Sequence, residues 1–336
     1  MDKIFRIGDF TFRLCCAAEV KPPENFMKFE YRTENAWRGY AATDDEADAA
    51  AERTAPEYTY HIKVADRLPR PKGQVIARRP DLVVFRQADG GAGAGETAGN
   101  DIGAGGLEGR LIGVKGSRDY YACYEEAAAD RAEVILAREQ IKDLRIDPVF
   151  TSLLALERRL VRKDQVILHC AYVEYQGEAV LFSAPSETGK TTQANLWEKY
   201  RGSRTVNGDR ALLGKRDGRW TAQGWPVCGT SEICHNEALP IRAVVMLSQA
   251  KENRAEKLTP GQAFPLLYSQ ITVNKWNMQD HIHTLDVVED LLGSVPVYHL
   301  GCTISEEAVE CLAEALGYGM EASGRGCIKE DYSDIF

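Results

Sequence analysis

The stretch Ser183-Ala184-Pro185-Ser186-Glu187-Thr188-Gly189-Lys190-Thr191-Thr192 constrains this 336-residue chain more than any other. It matches the pattern of a phosphate-cradling loop, except that Ala184 stands where the first glycine usually does. Ala179 to Phe182 reads as an apolar strand in front of it. Thr191 to Tyr200 reads as a helix behind it, with Ala194 and Trp197, and Leu196 and Tyr200, at helical spacing. A loop set between strand and helix turns backbone N–H groups and a helix N-terminus toward phosphate oxygens. Ser186, Glu187, Thr188, Gly189 and Thr192 would form the cradle, Lys190 would neutralise the β and γ phosphates, and the Thr191 hydroxyl would ligate Mg²⁺. The plain alternative is an ordinary strand-to-helix turn. Strand, loop and helix in this order favour a nucleoside triphosphate bound with Mg²⁺.

The rest of the chain divides around this feature. Up to about residue 140 the pattern is short and alternating, as in 10–14, 27–31 and 58–62, which predicts half-buried strands. Two stretches interrupt it: the acidic, alanine-rich 41–56, and 88–106, where glycine and alanine leave few large side chains for a core and a disordered loop is expected. From Asp147-Pro148 the spacing becomes helical, with Phe150, Leu153, Leu154, Leu156 and Leu160 as the stripe of one helix reaching Arg162. The expected domains are therefore a β-rich 1–145 and a nucleotide-binding 146–336. In the second, strands are expected at 166–172, 179–182, 204–206, 211–213 and 241–247. A helix is expected at 304–316, opened by Thr303 and Glu306 in capping-box spacing. This mixture predicts an α/β domain, α+β over the whole chain.

Composition excludes several classes. A net charge of −9 argues against a nucleic-acid surface. Nine cysteines without a Cys-x-x-Cys pair or a secretory leader read as reduced thiols. No apolar run approaches a membrane span, so a cytoplasmic protein is expected. His281 and His283 alternate as strand neighbours would, but Asp280 alone does not complete a zinc site with them.

Three residues outside the loop are candidates for chemistry. Asp209 ends the stretch Arg204-Thr205-Val206-Asn207-Gly208, which places it at the carboxyl edge of a strand as a metal ligand or base, unless Asn207-Gly208-Asp209 is simply a turn. His169, within Val166-Ile167-Leu168-His169-Cys170-Ala171-Tyr172, either meets the γ-phosphate or acceptor or is a hydrogen-bonded core residue. Glu232 is a candidate second metal carboxylate, against a solvated loop charge. Arg210 reads equally as a phosphate contact or a surface ion pair. Asn274-Lys275-Trp276-Asn277 reads as amphipathic packing before an acceptor-side loop.

Taken together, Ser186-Glu187-Thr188-Gly189-Lys190-Thr191, His169 lying 21 residues before Lys190, and Val206-Asn207-Gly208-Asp209 resemble the HPr kinase/phosphorylase family. The resemblance extends more distantly to phosphoenolpyruvate carboxykinase. That family carries a Ser-Gly-x-Gly-Lys-Ser/Thr loop, a Gly-x-His-Gly histidine and a hydrophobic strand ending in paired aspartates. Here Glu187 replaces a loop glycine, Gly208 replaces the first aspartate, and Ile167 and Cys170 replace the glycines around the histidine. The resemblance covers about 165–250, and the N-terminal half matches nothing. It implies a carboxykinase-like P-loop fold and ATP-dependent phosphorylation of a serine-like hydroxyl on a small molecule, peptide or protein, with Lys190, His169 and Asp209 in the catalytic set. A nucleotide-binding interaction protein of weak catalysis is the alternative, for which Glu187 and Gly208 speak. A true carboxykinase is disfavoured, because no second-metal or carboxylate-clamping constellation accompanies the loop. The acceptor, the oligomeric state and any reverse dephosphorylation stay open.

Overall fold

The computed structural model describes residues 1–31, 55–87, 106–114, 116, 117 and 119–319. Most of the acidic stretch 41–56, and residues 88–105 of the expected disordered loop, lie outside the described residues.

The first of two eight-stranded sheets holds β1 (Asp2–Ile7), β2 (Phe10–Cys16), β3 (Tyr58–Ala65), β4 (Gln74–Arg79), β5 (Leu82–Arg86), β6 (Glu108–Gly113), β7 (Tyr120–Ala128) and β8 (Arg131–Ala137). Its order is β1-β2-β3-β8-β7-β6-β5-β4. The alternation that predicted strands is visible in burial: Tyr58, Tyr60 and Ile62 face the core, as do Ala132, Val134 and Leu136, while the residues between them are less buried. Of the expected strand at 27–31 only a single bridge from Glu30 to Phe5 forms, and it follows a short helix, α1 (Glu24–Met27). Phe26 and Phe29 are the buried pair there, and their spacing of three is that of a helical turn, which the alternating reading overlooked.

The single helix expected from Asp147 to Arg162 is two helices, α2 (Asp147–Ser152) and α3 (Leu156–Val161), separated by Ala155 in the left-handed region at φ 47°. Leu153, Leu154, Ala155 and Leu156 are all buried. Four consecutive residues span far more than one face of a straight helix, so the chain breaks to bury them all.

The second sheet is built on two long strands, β9 (Val166–Tyr175) and β14 (Ala238–Gln249), joined by β10 (Glu178–Ser183), β11 (Arg204–Asn207), β12 (Arg210–Arg216), β13 (Arg219–Gln223), β15 (Arg254–Lys257) and β16 (Val297–Cys302). Because β10 pairs antiparallel with β9 and parallel with β14, the strands β10, β9, β12, β13 and β14 close into a ring. Helices cover it on two sides. Trp197 of α4 (Lys190–Arg201) and Val309 and Leu312 of α7 (Glu306–Ala315) join one core with Phe182 and Val245. Leu267 of α5 (Pro260–Tyr268) and Val288 and Leu291 of α6 (Met278–Ser294) join another with Leu168 and Val244. The protein is thus a mixed α/β molecule. No helix among the described residues is long and apolar enough to cross a membrane, and the eight described cysteines are all free thiols.

Two local expectations are corrected. His281 and His283 lie within α6 rather than on a strand; Asn277 caps that helix by accepting from the Gln279 and Asp280 amides, and the buried Asp280, Thr284, Val287, Val288 and Leu291 follow helical spacing. Thr303 does not cap α7, whose N-cap is Ser305, because its hydroxyl and amide are engaged by Asn253. A capping box forms instead between Thr259 and Gln262, at the start of α5.

A buried set of charges ties the first sheet to α3 and α6. Arg158 reaches Glu126 at 2.8 Å and both Glu108 and Asp280 at 3.4 Å. Arg110 pairs with Glu108 and Glu157, each at 2.6 Å, and Arg159 pairs with Glu126. Trp276 lies against this set, its indole N–H donating to Glu108 at 3.1 Å, so the packing reading of 274–277 holds for that side chain.

Candidate functional site

The phosphate loop opens where β10 leaves β9. Ser183 is the last paired residue, opposite Cys170, and its hydroxyl donates to the His169 carbonyl at 2.8 Å. Beyond it, residues 270–272 take the place of β10: the His169 amide donates to the Gln270 carbonyl at 3.0 Å, and the Thr272 amide to the Ile167 carbonyl at 2.9 Å. A split between two partners of one strand leaves an open end above it, the situation that creates ligand crevices at the carboxyl ends of strands.

The loop holds itself from within. Lys190 is only 8% exposed, and its ammonium donates to the carbonyls of Ala184 at 3.0 Å and Pro185 at 3.1 Å. Burial pushes its pKa below the usual lysine value, and the negative charge of Asp209 opposes that shift. The Thr188 hydroxyl also donates to the Pro185 carbonyl, at 2.9 Å. Ala184 is buried in the same core as Phe182 and Trp197, so its methyl serves packing where a glycine would leave space. Gly189 precedes α4 at φ 115°, which suits glycine, and no side chain caps the helix. Ser186, Glu187 and Thr191 are exposed, and Thr192 is half-buried. Glu187 sits at φ 65°, so the residue standing in the family's glycine position does adopt a backbone that glycine tolerates better.

Asp209 approaches from the other edge of β9. Strands β11 and β12 pair with successive parts of β9, as one strand interrupted at Gly208-Asp209. Asn207, fully buried, shapes the interruption: its side-chain oxygen accepts from the Asp209 amide at 2.9 Å and the Arg210 amide at 3.0 Å, while its Nδ2 donates to the Trp225 carbonyl at 2.9 Å. The Asp209 carboxylate then lies 3.5 Å from His169 Nε2 and 3.1 Å from Arg210 Nε. Arg210 in turn donates to the Thr272 hydroxyl at 3.2 Å. Burial pushes the Asp209 carboxyl up, but the His169 hydrogen bond and the Arg210 charge outweigh it, leaving the carboxyl below the usual aspartate value.

The loop after Cys228 closes this turn. Gly229 packs on Asp209, and a Cβ on Gly208 would stand 2.1 Å from the Ser231 hydroxyl. An aspartate cannot occupy 208 unless Ser231 moves, a physical reason for glycine where the resembling family has the first of two aspartates. Glu232, at φ 56°, is exposed and makes no hydrogen bond or ion pair among the described residues. The fold therefore gathers Lys190, His169, Asp209 and Arg210 around the phosphate loop and gives Glu232 no contact with them. Asn207, Ser231 and Thr272 were not singled out from sequence. Only Asn207 carried a signal, the Asn-Gly dipeptide whose side chain favours bonding to the backbone two residues on.

The family described as SynChlorMet cassette protein ScmC matches residues 135–316, more than half of the chain. Among solved structures, the Hpr(Ser) kinase/phosphatase from Coxiella burnetii is similar at 12% identity and a TM-score of 0.28, over 45% of this chain and 87% of that one. The likeness is distant, and that score is too low to equate the two folds. No curated protein matches the sequence.

Proposed function

The chain belongs to the SynChlorMet cassette protein ScmC family, and for this member we propose an ATP- and Mg²⁺-dependent kinase that phosphorylates a hydroxyl on a small molecule, peptide or protein. In this reading residues 146–336 are a carboxykinase-like P-loop unit, 1–145 helps to recognise the acceptor, and the protein works in the cytoplasm. The observation that carries the proposal is the meeting, beside His169 and Cys170 within β9, of the phosphate loop with the His169–Asp209–Arg210 cluster.

The donor set fits a triphosphate. Ser186 to Thr192 offer amides along the loop and at the start of α4, and Lys190 would exchange the Ala184 and Pro185 carbonyls for phosphate oxygens. Among the described residues no three His, Cys, Asp or Glu side chains are grouped to hold a metal. Mg²⁺ would accordingly rest on Thr191 and Asp209, with phosphate oxygens and water completing its shell, as this ion prefers. Bound there, the ion would neutralise charge as the γ-phosphoryl passes from ADP to the acceptor oxygen. The lowered Asp209 pKa suits a residue that stays charged, holding the metal and orienting the hydroxyl, and His169 is the adjacent group that can share the released proton.

A second reading, a catalytically weak nucleotide-binding interaction protein, is favoured by two observations: the exposed Glu187 carboxylate in the cradle, and Ser231 filling the space of a second carboxylate at 208. Transfer from γ-labelled ATP to a panel of serine peptides and small alcohols separates the two. The kinase reading expects labelled product that falls about 100- to 10,000-fold in Asp209→Asn, the range for loss of a proton-handling group, while ATP still binds. ATP binding without labelled product would favour the interaction protein.

A further inference from the structure

The two ends of the first sheet are finished differently. The outer edge of β1 is covered by residues 29–31, through the Arg6 amide to the Phe29 carbonyl at 3.0 Å and the Tyr31 amide to the Ile4 carbonyl at 2.8 Å. At the other end β4 pairs only with β5, and its outer edge takes no backbone hydrogen bond among the described residues. A bare edge is a template for another strand, and Val75 on it is 45% exposed.

Its charge is equally distinctive. Arg67, Arg70, Lys72, Arg78, Arg79 and Arg86 are all exposed, and among the described residues none forms an ion pair. Of the acids nearby, Asp66 is taken by Arg138, Glu125 faces Lys72, and Asp81 sits in the turn between β4 and β5 without an ion pair among the described residues. Arg78 and Arg79 lie on β4 itself, Arg67, Arg70 and Lys72 on the loop leading into it, and Arg86 on β5, and this cationic surface stands on a chain whose net charge is −9. Beside it is a cleft of about 190 Å³, walled by Ile76, Arg86, Trp276 and Met278 and floored by Glu108. The floor is built rather than incidental, since Glu108 is 3% exposed and held by Arg110, Arg158 and the Trp276 indole. Met278 is 68% exposed at its rim.

We propose that the β4 edge and the Trp276 cleft dock an extended, acidic peptide segment of a partner protein. The segment adds as a strand, its backbone meeting the bare edge, alternate carboxylates meeting the cations, and one apolar side chain entering the cleft. Charge decides between occupants: the same cations repel the β4 edge of a second copy and attract an acidic strand. Docking does not depend on phosphoryl transfer. Thr272, which touches Arg210, precedes Trp276 by four residues, so the Cα atoms of these two residues lie within about 14 Å of each other.

Fluorescence anisotropy on the full chain at low salt tests this, with a labelled ten-residue peptide of alternating Glu and Val and a Lys-Val peptide as charge control. The Glu-Val peptide should bind and the control should not. Combined Arg70→Glu, Lys72→Glu and Arg78→Glu should weaken binding at least about tenfold, and Met278→Glu should weaken it too. Reversing three distant exposed charges, in Lys21→Glu, Arg145→Glu and Lys251→Glu, should leave it nearly unchanged, as should Lys190→Ala, which separates this surface from the nucleotide site. No binding of the Glu-Val peptide, or equal losses from the edge and distant reversals, would overturn the proposal.

Discussion

Two clusters of charge in this molecule are built to opposite ends. Around Arg158, cations and carboxylates are almost wholly buried and spend their hydrogen bonds on one another, with Glu126, Glu108 and Asp280 sharing one guanidinium. Around Asp209, the carboxylate and His169 remain about a quarter exposed, and Lys190 is held only by carbonyls of its own loop. The first arrangement is held almost entirely by its own members, and removing one of them leaves charge poorly compensated in the core. The second keeps its charges at an opening, where a ligand can take over the bonds the protein now makes to itself. Charge content alone does not separate a structural cluster from a binding site; the exposure of its partners does.

The largest expected effect on stability lies in the buried cluster. Arg158→Ala removes the guanidinium shared by Glu126, Glu108 and Asp280, leaving them only Arg159, Arg110 and the more distant Arg162, and should cost about 3–5 kcal/mol in urea unfolding, while the remaining folded protein binds ATP as before. A loss under 1 kcal/mol would mean that the cluster is not the interlock described. Glu187→Gly should act in the other region: it removes a carboxylate from the cradle and relieves the φ of 65°, so triphosphate binding should tighten by about 1 kcal/mol, roughly fivefold. Unchanged affinity would show that the Glu187 charge points away from the phosphates. The smallest effect concerns pH. The Asp209 carboxyl lies below its usual value in the folded protein, so its stabilising contribution is present above the unfolded aspartate pKa and disappears as pH falls through the folded one. The stability difference between the native protein and Asp209→Asn should therefore shrink only at strongly acidic pH; a difference that vanishes near neutrality would contradict the His169 and Arg210 contacts.

Local signals were readable in the sequence where one period dominates. Tyr58, Tyr60 and Ile62 announce a strand, and the run from Gly189 to Arg201 announces a loop and helix, because each residue's burial follows from its neighbours along the chain. The break at Ala155 was hidden because four buried residues in a row satisfy any period. The ring closed by β10 and β14 was hidden for another reason: the pairing of Val180 with Ala243 joins segments distant in sequence and leaves no local trace. Lys190 was legible in the loop pattern, Asp209 at the end of its strand-like run, and His169 through the family resemblance. Thr272 and Ser231 could not, since Thr272 reaches Arg210 only through the strand replacement beside β9, and Ser231 reaches Gly208 only through the folded 228–234 loop.

Calorimetric titration of the full chain with ATP and Mg²⁺, beside Lys190→Ala, tests the central claim most directly. Saturable binding that is lost in Lys190→Ala is the expected result, because that ammonium is the loop's one buried cation. Absence of binding by the native protein, or equal binding by the variant, would contradict a nucleotide site at this loop.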